Sequence, residues 1–221
     1  GRVTEAELDK GQGFKNHYES TKCWAELEVR RRMDRIPTAI HRPAVVVGDS
    51  RTGETDKYDG PYSMITFLNK LPTWLPFVYI GPCKAPLNLV PVDFLVDAMA
   101  EIWTRKDALG KTFHLADPRP HTSGEMLKKI LLALGHAAPM ATVPHKLVEA
   151  ALGVNLVRGL MGIPQEQVAY MNHHVTFDTR NQEELLKGTG IACPDLLDTL
   201  PTLIDYLKAH PEKPFLDNRQ I

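Results

Sequence analysis

Cysteine is scarce in this sequence, and its arrangement excludes a disulfide framework. Three cysteines, Cys23, Cys83 and Cys193, occur in 221 residues, and no two of them form a C-x-x-C pair. An odd number without paired spacing favours free thiols in a reducing compartment. We therefore predict a cytoplasmic protein.

Excess charge and long apolar runs are also lacking. The formal net charge is −1 and the basic residues are scattered, which gives no electrostatic footprint for nucleic acid. No run of about 18 apolar residues is present, so we expect no membrane-spanning helix. Residues 1–9 are polar and acidic, unlike a secretion signal, and no methionine leads them. We therefore expect the chain to begin within a loop.

Metal-ligand spacing is absent among the nine histidines. No H-x-x-x-H or H-E-x-x-H motif occurs, and His173 and His174 would point to opposite faces of a strand. A zinc site needs several ligands that converge on one point. We therefore predict no metal site.

The N-terminal region contains a helix followed by a strand. Asn16 and Glu19 resemble a capping box, and the following residues contain no glycine or proline until Pro37, which predicts a helix from about Tyr18 to Asp34. The segment 38–48 is short, rich in β-branched side chains, and ends in glycine. Such a run is typical of a strand that is buried on both faces of a parallel sheet.

The rest of the chain alternates between apolar helical spacing and short strands, and its C-terminal half is rich in helix. Helices are predicted at 62–69, 93–106, 122–134, 145–153, 164–171, 180–187 and 195–209. Strands are predicted at 87–90, 111–116 and 174–177. The pattern indicates a mixed α/β protein.

Tyr18 and Lys22 lie four residues apart, so on a helix they project from one face. A tyrosine hydroxyl with a pKa near 10 is a poor acid at neutral pH, and a neighbouring ammonium lowers that pKa toward the working range. The pair could thus protonate a carbonyl oxygen while the lysine also holds a ribose. Spacing alone does not distinguish this role from two ordinary surface residues.

The neighbouring sequence makes the distinction. Residues 16–26, N-H-Y-E-S-T-K-C-W-A-E, resemble the N-x-Y-x-x-[ST]-K-x-x-A-E signature of extended short-chain dehydrogenases/reductases. Residues 42–53, R-P-A-V-V-V-G-D-S-R-T-G, resemble the strand and loop that follow in that family. The T-K-x-x-A-E and G-D-S-x-T-G runs are most similar to the branch of thioester reductases and fatty acyl-CoA reductases.

The resemblance implies an incomplete Rossmann-type parallel sheet made of C-terminal strands, together with a helix-rich substrate-binding domain. The cofactor part would comprise residues 1–48 and about 88–122. The substrate part would comprise about 49–87 and 123–221.

The resemblance also implies site residues. Tyr18 and Lys22 would be catalytic and would contact the cofactor. Main-chain groups of the run Pro43, Ala44, Val45 and Val46 would lie against the nicotinamide, although these residues could equally form the core of a strand, and both can hold at once. In the following loop, Ser50 and Thr52 would line the substrate entrance.

A glycine-rich turn for the pyrophosphate is missing. No G-x-G-x-x-G or G-x-x-G-x-x-G occurs, and the family's catalytic Ser or Thr on the strand before the tyrosine is also absent. We therefore expect this chain to be the C-terminal part of a longer reductase, inactive by itself. The strand at 38–47 would then expose an apolar edge that pairs with a second copy or with the missing N-terminal half.

The function implied is an NADP(H)-dependent reductase that converts an acyl thioester to an aldehyde, with NAD as a possible cofactor and a small acyl molecule as substrate. A nucleotide-sugar epimerase or dehydratase, or a hydroxysteroid-type dehydrogenase, would use the same Tyr18 and Lys22. A non-catalytic relative that senses a nucleotide is a third possibility, but a sensor has no need of the tuned acid.

Overall fold

The computed structural model describes residues 1–14, 16–144 and 174–213. Backbone packing divides the chain into two compact units. The first unit contains Gly1–Val46, Asn88–Arg119 and Val175–Cys193. The second contains the described residues of 47–87, 120–174 and 194–213. The helices predicted at 145–153 and 164–171 lie outside the described residues.

The helices follow the predicted order. They are α1 (His17–Arg30), α2 (Pro61–Asn69), α3 (Val92–Thr104), α4 (Ser123–Ala133), α5 (Arg180–Leu186) and α6 (Leu196–Ala209). A 3-10 turn, Lys106–Ala108, follows α3.

The strands are short. They are β1 (Arg2–Val3), β2 (Ile40–Pro43), β3 (Val45–Val47), β4 (Tyr79–Ile80), β5 (Leu89–Pro91), β6 (Thr112–Leu115), β7 (Thr142–Val143) and β8 (Thr176–Phe177). In the described residues β1 pairs with β8, β2 with β6, and β4 with β7, each in parallel. Parallel pairing of strands that are separated by helices is typical of an α/β architecture.

Helix α1 begins where the capping residue predicts. The side chain of Asn16 accepts a hydrogen bond from the backbone N–H of Glu19 at 2.9 Å, which satisfies one free donor of the first turn. The α-helix ends at Arg30, four residues before the predicted end. Residues 31–36 continue in turns. The residue before a proline disfavours α-helical backbone, so the α-helix gives way to tighter turns before Pro37.

The core of the first unit forms around β6. All four residues of this strand are buried, and β2 pairs with it from Ile40 opposite Thr112 to Pro43 opposite Leu115. The apolar faces of α3 and α5 close the core, with the buried side chains Val90, Phe94, Ala98, Ile102, Phe113, Leu115, Leu185 and Leu186.

Residues 175–193 lie in the first unit because β8 pairs with β1 and α5 packs on β6. The division into a cofactor part and a substrate part stays a prediction. One feature of this unit differs from the sequence expectation. The strand predicted at 38–47 forms two pieces, β2 and β3. Val47 is 3% exposed, but Val45 is 50% exposed, so burial on both faces does not extend along the whole run.

In the second unit, α6 packs against α2 and α4, and a tight loop packs on it. The loop begins at Gly48, whose N–H donates to the hydroxyl of Tyr62 at 2.9 Å. The carboxylate of Asp49 then accepts from the N–H groups of Arg51 and Thr52, both at 2.9 Å. These bonds lower the pKa of Asp49 against the opposing effect of its burial, and they hold the loop closed up to Gly53.

We predict that Gly53→Ala destabilises the second unit far more than Gly135→Ala. Both glycines have positive φ, +75° and +85°. A Cβ on Gly53 would lie 2.5 Å from the carbonyl oxygen of Thr202 in α6, whereas a Cβ on Gly135 would meet only the Thr73 methyl at 3.9 Å. The expected loss of unfolding free energy is about 3 kcal/mol for the first substitution and about 1 kcal/mol for the second. Thermal unfolding of both variants measures this, and equal losses would contradict it.

None of the described helices is long and apolar enough to cross a membrane.

Candidate active site

The structure brings Tyr18 and Lys22 together in the first two turns of α1. The Lys22 Nζ lies over the tyrosine ring, 5.5 Å from its centroid, within the range of a cation–π contact. Both side chains are exposed, Tyr18 by 64%. Helical spacing therefore places the Lys22 ammonium against the Tyr18 ring on an exposed face that a ligand can reach.

The turn that carries these two residues is held by local hydrogen bonds. The hydroxyl of Ser20 donates to the carbonyl oxygen of His17 at 2.9 Å, and that of Thr21 donates to the carbonyl oxygen of Tyr18 at 3.0 Å. Ser20 and Cys23 are the buried residues of α1. The helix thus faces its unit along a narrow stripe, and it leaves Tyr18 and Lys22 exposed.

One turn beyond Lys22, Glu26 joins α1 to β2. Its carboxylate accepts from Arg42 in a bidentate pair, Nε to Oε2 at 2.8 Å and Nη2 to Oε1 at 2.7 Å. Arg30 donates to the same carboxylate at 3.0 Å. Burial alone would raise the pKa of Glu26, but the hydrogen bonds and charges of Arg42 and Arg30 outweigh it and leave the pKa below its ordinary value.

Arg42 is held on its other side by β6. Its Nη1 lies 2.9 Å from Nε2 of His114, and Nδ1 of His114 lies 2.8 Å from the carbonyl oxygen of Asp178. A carbonyl can only accept, so Nδ1 carries the proton and Nε2 accepts from Arg42. Burial, with the charge of Arg42, lowers the pKa of His114, while the Asp178 and Glu26 charges partly oppose the shift. The imidazole is therefore neutral in the folded unit.

We predict that this histidine makes the first unit sensitive to mild acid. Because the pKa of His114 lies below 6.5 in the folded state, the unfolded chain takes up a proton first as the pH falls. Below about pH 7 the free energy of unfolding therefore decreases as the pH falls, by up to about 1.4 kcal/mol per pH unit.

The measurement is denaturant unfolding between pH 8 and pH 5.5. His114→Asn is expected to reduce this slope, and His41 of β2, whose pKa burial also lowers, accounts for the rest. The exposed His17→Asn serves as the matched control and should keep it. An unchanged slope in the His114 variant would contradict the assignment.

The predicted cofactor run lies directly after Arg42. Pro43 and Val45 are exposed, whereas Ala44 and Val46 are half-buried and pack on the core of the first unit. The N–H of Ala44 donates to the carbonyl oxygen of Leu115 at 2.9 Å. The run is thus both part of the core and partly accessible, and its contact with a nicotinamide stays a prediction.

Ser50 and Thr52 lie in the second unit, in the loop that Asp49 closes. Thr52 is exposed and Ser50 is half-buried. Their place at a substrate entrance also stays a prediction. Within the described ranges, no three His, Cys, Asp or Glu side chains converge as metal ligands would.

Sequence reasoning missed the roles of Glu26, Arg42 and His114. Glu26 and Arg42 stand inside the two quoted motifs, and His114 stands in the predicted strand at 111–116. One signal was available, because Glu26 continues the i, i+4 series of Tyr18 and Lys22 on the same helix. The partners of that carboxylate depend on how the strands pair, which spacing does not show.

Comparison with known proteins finds relatives for the region that contains this site. Residues 1–99 match the family of NAD-binding domains described as male sterility protein. The chain is 27% identical over 113 residues to a nonribosomal peptide synthetase of Aspergillus hancockii, which covers 50% of this chain and 11% of that protein. It is 31% identical over 96 residues to the fatty acyl-CoA reductase wat of Drosophila melanogaster, which covers 42% of this chain and 18% of that protein.

Among solved structures, the terminal R domain of the myxalamid PKS-NRPS biosynthetic pathway is similar with a TM-score of 0.76 and 23% identity. The match covers 97% of this chain and 55% of that domain. These findings confirm the predicted Rossmann-type α/β fold. The family match and the relatives agree with the predicted resemblance to NAD(P)-dependent reductases of the thioester and fatty acyl-CoA branch. The chain spans less than a fifth of these two curated relatives.

Proposed function

We propose that this chain carries the proton donor of an NAD(P)H-dependent reductase that converts an acyl thioester to an aldehyde. The observation that supports it most strongly is the contact between Lys22 and Tyr18 on an exposed helix turn, within the region that matches the NAD-binding family. One relative is a fatty acyl-CoA reductase, and its substrate is a thioester.

The residues present fit a nicotinamide cofactor. Among the described residues, the ammonium of Lys22 makes no ion pair or hydrogen bond, so its donors are available to the hydroxyls of a ribose. The bound nicotinamide supplies a hydride to the carbonyl carbon of the thioester. We propose NADPH as the cofactor, with NADH as the alternative that a direct comparison tests.

Tyr18 performs the proton transfer in this proposal. As the carbonyl carbon gains the hydride, its oxygen becomes basic, and the Tyr18 hydroxyl donates a proton to it. The product is a hemithioacetal, whose C–S bond then breaks to release a thiol and an aldehyde. Lys22 stabilises the tyrosinate that remains until it regains a proton from solvent.

The test is Tyr18→Phe in the complete protein that contains this sequence. Phenylalanine keeps the ring that Lys22 contacts but cannot donate a proton, so kcat for acyl-CoA reduction should fall by about 10²-fold or more. The affinity for NADPH should stay within about twofold. Tyr79→Phe is the matched control, since Tyr79 lies on β4 of the second unit. Unchanged turnover in the Tyr18 variant would refute the proposal.

Substrate screening separates the related functions. Acyl-CoA thioesters with NADPH should give aldehyde and free thiol, whereas nucleotide sugars and hydroxysteroids should give no turnover. Turnover of a sugar nucleotide alone would identify an epimerase or dehydratase. Binding of nucleotide without turnover of any of these compounds would identify a sensor.

A further inference from the structure

We infer that Glu26 and Arg42 are positioning residues, whose bidentate ion pair fixes the height and rotation of α1 relative to β2. The inference rests on the proposed function, since it concerns how the helix presents Tyr18 and Lys22. Neither residue belongs to the proton-transfer pair itself. Their role would be to keep that pair in register with the run that begins at Pro43.

The helix has little else to hold it in place. Of the 14 residues of α1, Ser20 and Cys23 are the buried ones. Two small side chains bury too little apolar area to fix a helix against sliding or rotation, because burial of one CH₂ group contributes only about 0.8 kcal/mol. The orientation of α1 therefore depends on polar contacts.

Those contacts are concentrated one turn beyond Lys22. Two parallel N–H···O bonds, 2.8 Å and 2.7 Å long, join the Arg42 guanidinium to the Glu26 carboxylate. A bidentate pair constrains direction as well as distance, which a single bond does not. The side chains are 19% and 12% exposed, so solvent and salt screen the pair less than a surface pair.

Arg42 is itself immobilised. Its Nη1 contacts His114 of β6 at 2.9 Å, and its Nη2 also donates to the carbonyl oxygen of Glu7 at 2.9 Å. Arg30, one turn further along α1, donates to Thr112 of β6 at 3.1 Å. Two successive turns of the helix are thus anchored to the β2–β6 pair rather than to flexible side chains.

The two residues of the ion pair lie next to the proposed functional residues in the sequence. Arg42 directly precedes Pro43, where the run predicted to contact the nicotinamide begins, and Glu26 follows Lys22 by four residues. A helix moves as a rigid body over two turns, so a shift at Glu26 moves Tyr18 by a similar amount. Misplacement of a reacting group by about 1 Å can reduce a rate about 10²-fold.

The experiment uses the complete protein with Glu26→Gln and Arg42→Lys. Each change keeps one hydrogen bond but removes the charged bidentate geometry. Each single variant should lose about 10-fold or more in kcat, while KM for NADPH and for acyl-CoA stays within about twofold. The double variant should lose about as much as either single one, because both remove the same constraint.

Glu28→Gln is the matched control. Glu28 also lies on α1 and pairs with Arg31 and Arg32, but both pairs are exposed and neither reaches a strand. Its kcat should stay within about twofold of the unmodified protein. Circular dichroism and thermal unfolding of every variant report the folded fraction, and rates are normalised to it.

Tyr18→Phe, measured in parallel, distinguishes the two possible failures. If Tyr18→Phe keeps its turnover, the proposed function fails. If Tyr18→Phe loses turnover but both Glu26→Gln and Arg42→Lys keep normalised kcat within about twofold, the function stands and the positioning role is overturned. Additive losses in the double variant would also overturn it. Should Glu26→Gln not fold, Arg42→Lys alone decides, because lysine retains the buried charge.

Discussion

The first unit depends on the hydrogen bonds of the Arg42 guanidinium. It bonds to Glu26 of α1, to His114 of β6 and to the carbonyl oxygen of Glu7, so one side chain of β2 joins three other segments. A charge that is largely removed from water is costly unless its donors are satisfied. Because Arg42 meets a carboxylate, a neutral imidazole and a carbonyl, the cost is offset, and loss of any partner would leave a half-buried cation with an unmet donor.

Polar contacts beside the Arg42 network hold the N-terminal segment against the rest of the first unit. Glu5 is buried, and its carboxylate accepts from the N–H groups of His114 at 3.0 Å and Asn181 at 2.8 Å. Burial raises the pKa of this carboxyl. Asp178, bonded to Arg2 and Arg180, has its pKa lowered to about 2. Two acidic groups with opposite shifts thus tie the segment before α1 to the segment around β8.

How far the sequence predicts this structure depends on the range of the interaction concerned. Helix starts are local, so the Asn16 cap of α1 and the Thr122–Glu125 capping box of α4 are both found where their residue types indicate. Of the four strands in the pairs β1–β8 and β4–β7, the sequence predicts only β8, because strands of two residues give no periodicity. The Arg42 network was missed altogether, since its members are separated by up to 171 residues of chain, from Glu7 to Asp178 (178 − 7).

The motif around Tyr18 therefore combines two physical requirements that spacing alone does not separate. In the proposed function Tyr18 and Lys22 need exposure, since a proton donor that is sealed by packing cannot meet a substrate. Glu26 and Arg30 need partners, since an exposed helix with two buried residues cannot hold its own position. The helical period satisfies both, because successive residues at i+4 move gradually from the exposed face toward the β2–β6 pair. One stripe of α1 thus passes from the exposed pair, Tyr18 and Lys22, to the anchored residues within about two turns, and the anchored residues are the part of the motif that spacing alone does not explain.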